Sequence, residues 1–534
     1  MLSSKVKVPM PEKGITIRGS GSRRYVYKVT RAYRNKKGQP TSDRKQVGRL
    51  DEATGMLIPN DNYWELCVNG PIEILPAFDS IRSVGATFII ESVLERLGIT
   101  RMLVSALGEG RAEQTTKIAT YMACRGNIME GLLDWCESYT LSKPVLSSQL
   151  ASTLFGSITH DERMTFFRAW ATERAAGQAI AYDVTSFSTY AKGITDAEWG
   201  YNRDGDRLPQ VNLGCYLSQQ SGLPIFYVTY PGSIVDKSHL PYMMEYNDEL
   251  GIKDAIFVMD KGFCATVNVR HMHASRLPYI MGVDGSHKAT RVAIDSVRDD
   301  IVTMSRRIGE GVYANTIRSI FYGELANLHV FCDPTLAERQ RADMQRVIEV
   351  KEEKLHQLKQ LTKREAKRYS DLFDINLAGN GSFTFSRNYA KIDAMARDAG
   401  FFCLLTNTDF GSREALEIYR RKDMVEKGFD DLKNHIDMKR LRTHSKHTTE
   451  GKLFVAFVSL IAISHISNKL SSFMRERSMS KDALIAEVEK IRVVFTIGGS
   501  RLMNPITKTQ RTIIEGLGFT EEDLKSYISC SQCQ

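Results

Sequence analysis

Two aspartates and a glutamate stand where carboxylates can gather around a hard cation. Asp183 closes the run Gln-Ala-Ile-Ala-Tyr-Asp183, and Asp260 closes Asp-Ala-Ile-Phe-Val-Met-Asp260 ahead of Lys-Gly-Phe. Each run is short, apolar and bounded by polar or glycine residues, the pattern of a strand buried on both faces. Functional groups collect at strand ends in open α/β sheets, so two aspartates far apart in the chain can converge. Glu426 lies in Tyr419-Arg-Arg-Lys422-Asp-Met-Val-Glu426-Lys-Gly-Phe-Asp-Asp-Leu-Lys433. At about 3.6 residues per turn, this spacing puts a phenol, two cations and a carboxylate on one helix face, with Val425, Phe429 and Leu432 as the apolar stripe beside it. A surface helix with alternating charges reads the same way, and a lone aspartate after a strand is usually a turn or cap residue. Taken together, Asp183, Asp260 and Glu426 favour a metal site, and oxygen-only ligands favour Mg²⁺ or Mn²⁺ over zinc.

The elements that must position these groups follow in a telling order. After Asp183 comes the turn-rich stretch Gly200-Tyr-Asn-Arg-Asp-Gly-Asp-Arg207, then two apolar segments joined by Gln219-Gln-Ser-Gly222, which read as a β-hairpin. Asp236 can cap a helix running to about Leu250, which leads into the Asp260 strand. Strand with Asp, two further strands, helix, strand with Asp is the order of the ribonuclease H-like fold, in which a later helix supplies the third carboxylate. The expected class is therefore α/β: a mixed sheet flanked by helices, split by an insertion, with a basic N-terminal region and a helical region before it.

These residues resemble the DDE transposases of bacterial insertion sequences, in the branch with a Tyr-x2-Arg-x3-Glu-x6-Lys signature. Tyr419, Glu426 and Lys433 match in type and spacing, while Lys422 stands where that family usually has Arg. Lysine keeps the charge but lacks the planar bidentate fork. The Gly200-Tyr-Asn-Arg-Asp to Leu208-Pro-Gln block, Tyr230-Pro-Gly-Ser233 and Asp260-Lys-Gly-Phe263 are further similarities, although the family more often has Asn than Ser233. The resemblance runs from about Tyr25 to Gly518. It implies catalytic and metal-binding roles for Asp183, Asp260 and Glu426, phosphate contacts from Tyr419, Lys422 and Lys433, and two Mg²⁺ ions for which Mn²⁺ can substitute. It also implies DNA partners, transposon ends and target, engaged by a homodimer in a synaptic complex.

Net charge is +9, yet residues 1–50 carry fourteen Lys or Arg against only Glu12 and Asp43, so the remaining chain is slightly acidic. Such a patch neutralises phosphates or forms a solvated tail. Arg23, Arg24, Lys36 and Lys37 are its expected DNA-contacting members. Residues 24–33 alternate as a strand, ahead of a turn through Asn35-Lys-Lys-Gly-Gln-Pro40. No secretory signal is evident, and the apolar run at residues 453–463 is shorter than the roughly 20 residues a bilayer span needs, so no membrane role is expected. Nine scattered cysteines suit a reducing cytoplasm; the expected location is a bacterial cytoplasm, on the nucleoid when DNA is bound. Cys530-Ser-Gln-Cys533 has no second pair, as zinc would require. No phosphate-binding Gly-Lys-Ser/Thr loop appears, so ATP hydrolysis is not implied.

Six regions are expected: a basic DNA-contacting region at 1–75, a helical region at 76–176, a first core segment at 177–290, an insertion at 291–397 with strands and a charged helix from about Thr335 to Asp371, a second core segment with the Glu426 helix at 398–475, and a C-terminal region at 476–534. Three functions fit this reading. They are metal-dependent transposition with strand transfer, a nuclease of the same fold, and a DNA-binding protein with an inactive core.

Overall fold

The computed structural model describes residues 6–19, 24–68, 78–141, 145–175, 177–202, 204–496 and 500–530. They form two compact units, residues 1–80 with 495–500, and residues 81–494 with 501–534.

In the smaller unit, strands Ile15–Arg18, Tyr25–Arg34, Pro40–Asp51 and Met56–Pro59 pair antiparallel in sequence order, followed by helix Asp61–Cys67. Val26, Val47, Leu57 and Tyr63 form its core. The expected strand and turn are present: Asn35 Oδ1 accepts from the amides of Lys37 and Gln39, and Gly38 takes a left-handed φ of 76°. An asparagine side chain satisfying amides inside the turn is what makes that sequence reverse direction.

The larger unit is built on a nine-stranded mixed sheet. From one edge its strands are Arg307–Gly309, Val312–Phe321, Glu324–Cys332, Phe401–Thr406, Tyr279–Val283, Ile256–Met259, Ala179–Ser188, Gln210–Ser218 and Pro224–Pro231. The strands Ala179–Ser188, Ile256–Met259 and Tyr279–Val283 run parallel to one another, and the remaining pairings are antiparallel. The expected hairpin joins Gln210–Ser218 to Pro224–Pro231. The helix after it spans Asp236–Leu250, but its cap is Val235; Asp236 sits in the first turn and accepts a 2.7 Å hydrogen bond from Tyr230 Oη.

Among the described residues six α-helices between Gly85 and Arg174 precede the sheet, as the sequence pattern suggests. Helix Lys446–Lys469 is long and apolar enough to cross a membrane by length and composition, yet it is buried against helices Glu109–Arg125 and Ser148–Ser157. Gly451 permits that packing, because a Cβ there would collide with the backbone carbonyl of Phe155.

Two expectations about the insertion are corrected. Strands Val312–Phe321 and Glu324–Cys332 are not separate from the core: the latter pairs with Phe401–Thr406, whose other edge pairs with Tyr279–Val283. An unpaired edge there would leave a row of backbone groups unsatisfied. The charged helix ends at Gln357 rather than continuing to Asp371, because its apolar face has a core of its own to build. Ile348, Leu355, Leu361, Leu372, Phe373 and Ile392 bury one another, which requires the chain to turn after Gln357 and return as the hairpin Phe373–Leu377 and Phe383–Arg387.

Candidate active site

Asp183 and Asp260 are register neighbours. Tyr182 stands opposite Met259 in the parallel pairing, so the next residue on each strand is an aspartate. Strand Ile256–Met259 ends there: Asp260 Oδ1 accepts from Lys261 N at 2.6 Å and caps the short turn Lys261–Phe263. Phe263 then packs on Tyr182, ring centroids 5.0 Å apart, which anchors that turn over the Asp183 strand. Asp183 differs from expectation in place, for its strand continues five residues to Ser188. The antiparallel partner Gln210–Ser218 pairs along that whole length, so the carboxylate emerges from mid-strand. Its Oδ1 accepts from Val184 N at 2.7 Å.

Tyr419 reaches the same point from the helix Ser412–Arg420. Gly282, one residue past the pairing of Met281 with Met259, leaves room for it; a Cβ on Gly282 would lie 2.6 Å from the Tyr419 oxygen. Burial raises the phenol pKa, and the charge of Asp260 together with a hydrogen bond to that carboxylate raises it further. Tyr419 is therefore a permanent donor holding Asp260. Lys422 Nζ lies 5.5 Å from the Tyr419 ring centroid and 4.0 Å from Glu426 Oε1.

The signature segment is not one continuous α-helix. Lys422 N bonds Tyr419 O and Val425 N bonds Lys422 O, a tightened turn between helices Ser412–Arg420 and Asp423–Asp430; Asp431–His435 then widen into a π-helical turn. Two destinations explain the break. Tyr419 must reach Asp260, whereas Val425 and Phe429 are buried by a helix packed on the Asp183 strand, and Gly428 sits against Leu217. The widened turn, a device often found at functional sites, buries Asp431 against Lys481 and turns Lys433 inward. Lys433 is therefore not an exposed cation on the Glu426 face. It is 8% exposed and bonds Asp204 at 2.8 Å.

That pairing draws in residues the spacing argument missed. Arg440 bonds Asp206 at 2.6 Å and holds its carboxyl below the usual range, and Asn202 donates to Ser188 Oγ at the end of the Asp183 strand. Loop 200–207 is thus tied at Asp204 and Asp206 to the chain that follows Glu426. The Gly200 block carried a signal in its two aspartates, but their partners lie more than two hundred residues away. His435, two residues on from Lys433, bonds the Ala123 carbonyl and Asp482.

The donor set suits an oxygen-preferring divalent cation. Among the described residues Asp260 has no Lys or Arg ion partner. Cys215, opposite Asp183, is kept a neutral thiol by burial and then by the charge of Asp183. Glu426 is 69% exposed and faces Lys422, and among the described residues no three His, Cys, Asp or Glu side chains stand close enough to hold a metal ion. The structure thus joins Asp183, Asp260 and Tyr419, sets Lys422 and Glu426 beside Tyr419, and directs Lys433 elsewhere. In the smaller unit Lys36 and Lys37 are exposed at the hairpin tip, Arg24 lies 3.5 Å from Glu52, and Arg23 falls outside the described residues.

The family model for the transposase DDE domain matches residues 174–462, more than half of the chain. The chain belongs to that family. It is a DDE transposase, an enzyme that acts on DNA, and such enzymes depend on divalent metal. A solved structure, the piggyBac transposase synaptic complex with hairpin DNA, is similar at 10% identity with a TM-score of 0.37, covering 84% of this chain and 83% of that one. No curated protein matches.

Proposed function

We propose that this DDE transposase cuts phosphodiesters at the ends of a bacterial insertion sequence and joins them to target DNA, using Asp183, Asp260 and Glu426. The register that sets Asp183 beside Asp260, with Tyr419 bonded to Asp260, carries the reading. Counting from Asp183, the five strands Ala179–Ser188, Gln210–Ser218, Pro224–Pro231, Ile256–Met259 and Tyr279–Val283 lie in the order 3-2-1-4-5. That order supports a ribonuclease H-like core at 177–290 and 398–475, its sheet extended by strands Val312–Phe321 and Glu324–Cys332 and its chain interrupted by the remainder of 291–397, with the basic region 1–75, the helical region 76–176 and the C-terminal region 476–534 beside it in sequence.

Asp183, Asp260 and Glu426 would hold Mg²⁺, two ions with Mn²⁺ able to substitute. Bound there, divalent cations supply a water of lowered pKa and neutralise charge on the leaving 3′ oxygen. Tyr419 fixes the orientation of Asp260, and Lys422 places positive charge for a phosphate beside it. Glu426, exposed and held by a weak 4.0 Å contact to Lys422, is free to turn toward the aspartates. Water attacks phosphorus, the P–O3′ bond breaks, and the freed 3′-hydroxyl then replaces water as nucleophile on target DNA. The basic hairpin of residues 24–45 would add phosphate contacts through Arg24, Lys36 and Lys37, and Arg23 belongs to the same stretch. A homodimer would hold both ends.

The test is incubation with Mg²⁺ or Mn²⁺ and DNA carrying the flanks of the coding region, scored for cleavage and joining. Wild type should cut and join, whereas Asp183→Asn, Asp260→Asn and Glu426→Gln should fold and bind DNA without cutting. Near-normal cutting by one of them removes that residue from the site. Cutting without joining reduces the activity to that of a nuclease.

A further inference from the structure

The chain that leaves the Glu426 helix is held by two buried side chains that belong neither to the sheet nor to the signature segment. Asn127 follows helix Glu109–Arg125, and Lys452 lies in helix Lys446–Lys469. The Asn127 side-chain amide donates to the carbonyl of Asp437 and, at 3.1 Å, to that of Arg440. Lys452 Nζ donates to Asn127 Oδ1 at 3.1 Å and to the Leu441 carbonyl at 3.2 Å. Three carbonyls within residues 437–441 are thus satisfied by one amide and one amine. The amine also fixes which way the amide faces, since only Oδ1 can accept from it.

The segment so held is strained. Asp437 and Arg442 take left-handed φ values of 59° and 50°, and backbone of that kind persists only where its surroundings over-determine it. Gly126 stands close against it, for a Cβ there would lie 3.2 Å from Asp437 Cβ. What the strain achieves is a junction. Ser188, the last residue of the Asp183 strand, donates its amide to Lys439 O at 3.2 Å and accepts from Leu441 N at 3.3 Å, so residues 439–441 lie along the end of that strand. Arg440, between those two bonds, reaches Asp206. The Glu426 helix itself packs on the same strand. Its chain is therefore fastened to the Asp183 strand at two places, and Asn127 with Lys452 secures the second. An amine bonded only to neutral oxygens is a costly way to fill that space: among the described residues no carboxylate bonds Lys452, and a buried cation without a paired anion loses stability that an apolar side chain would keep. Its presence is explained by what it holds.

We infer that Asn127 and Lys452 are positioning residues for DNA cleavage: acting through residues 437–441, they fix where the chain of the Glu426 helix meets the end of the Asp183 strand. The inference rests on the catalytic reading of Asp183 and Glu426 and adds to it a contribution from the helices that precede the sheet. On that reading the exposed Glu426 side chain turns toward the aspartates. The backbone that carries it must then be the fixed part of the site, because a small misplacement of a reacting group made far from the chemistry slows the reaction strongly.

The experiment measures single-turnover cleavage of pre-bound DNA carrying the flank of the coding region as Mg²⁺ is raised, beside DNA affinity and a melting curve. Asn127→Ala and Lys452→Met should each cut about 10- to 100-fold more slowly, as when a supporting group behind a metal site is lost. Both should need more Mg²⁺ for half-maximal rate, with DNA affinity unchanged. The double variant should be about as slow as the slower single one, because both residues act through one junction. Lys452→Gln, which keeps an N–H donor, should cut faster than Lys452→Met and stands in for it should that variant fail to fold. Val458→Ala, buried in the same helix and making none of these bonds, loses stability without touching the junction and should cut at the wild-type rate where all variants are folded. If Asn127→Ala and the Lys452 variants cut as fast as Val458→Ala, the two residues serve stability alone and the inference fails. A loss that resides in DNA affinity, with the rate on bound DNA and the Mg²⁺ requirement unchanged, also overturns it. Wild type that does not cut, or Glu426→Gln that cuts normally, overturns the catalytic reading, and the inference with it.

Discussion

Changing Lys433 or Asp204 separately should have unequal costs, and the inequality follows from where each is buried. Lys433 has a side chain only 10% exposed, and its partner Asp204 is 24% exposed. Asp204→Asn leaves an ammonium buried without a counter-charge, the situation that costs about 3 kcal/mol or more when one member of a buried pair is removed. Lys433→Met fills the volume with an uncharged chain and leaves a carboxylate close to solvent, for a loss of about 1 kcal/mol. The double variant has no orphaned charge and should resemble Lys433→Met, so a double-mutant cycle should return a coupling of about 2 to 3 kcal/mol. Urea unfolding followed by tryptophan fluorescence measures each value, and single-turnover cleavage on bound DNA shows whether the pair also serves chemistry. If Lys433→Met is the more damaging to stability, or the coupling is near zero, the ion pair does not fasten loop 200–207. If Lys433→Met abolishes cleavage while Asp204→Asn cuts normally, Lys433 serves a phosphate after all.

Tyr419→Phe removes the donor to Asp260 but keeps the ring beneath Lys422; cleavage should fall about 10- to 100-fold with stability within about 1 kcal/mol of wild type, and unchanged cleavage would remove Tyr419 from the site. Gly282→Ala places a methyl 2.6 Å from the Tyr419 oxygen, so it should cost cleavage on its own and much less on top of Tyr419→Phe, as single-turnover rates of the pair would reveal. Lys36→Ala with Lys37→Ala should reduce the salt slope of DNA binding by about 2, and an unaltered slope would leave the hairpin tip without a phosphate contact. Lys452, which donates to Asn127 Oδ1 and Leu441 O, has its pKa lowered by burial to about 7 from 10.5. Between those values the unfolded chain binds more protons than the folded one, so this lysine makes stability rise with pH from about 7 upward. Lys452→Met should flatten that rise in melting temperature against pH, and parallel curves for the two proteins would contradict it.

The two aspartates proposed for the site were legible as strand residues because their environment is written locally. Ile-Phe-Val-Met before Asp260 and Ala-Ile-Ala-Tyr before Asp183 are apolar on both faces of a strand; Asp260 ends its strand as that pattern suggests, whereas Asp183 stands in mid-strand. The hairpin after Asp183, the helix at Asp236–Leu250 and the amino-terminal turn were visible for the same reason: hydrophobic period and turn residues are short-range signals. The long charged helix was misjudged at its end, since charge and helix propensity continue past Gln357 while the burial of Leu361, Leu372 and Phe373 is decided by residues the helix meets only after folding.

The sequence by itself determined which residue types could do chemistry here, the order of strands that carries two of them, and the helical spacing from Tyr419 to Glu426. Only the tertiary structure decided the register that makes Asp183 and Asp260 neighbours, since hydrogen bonding between parallel strands is set by the whole sheet. It also decided that the signature helix tightens after Tyr419 and widens at Asp431–His435, because Tyr419 and Phe429 bury against different strands. Lys433 meets Asp204 for the same reason. A spacing rule assumes a straight helix in water, whereas the direction of each side chain depends on what the rest of the chain packs against it.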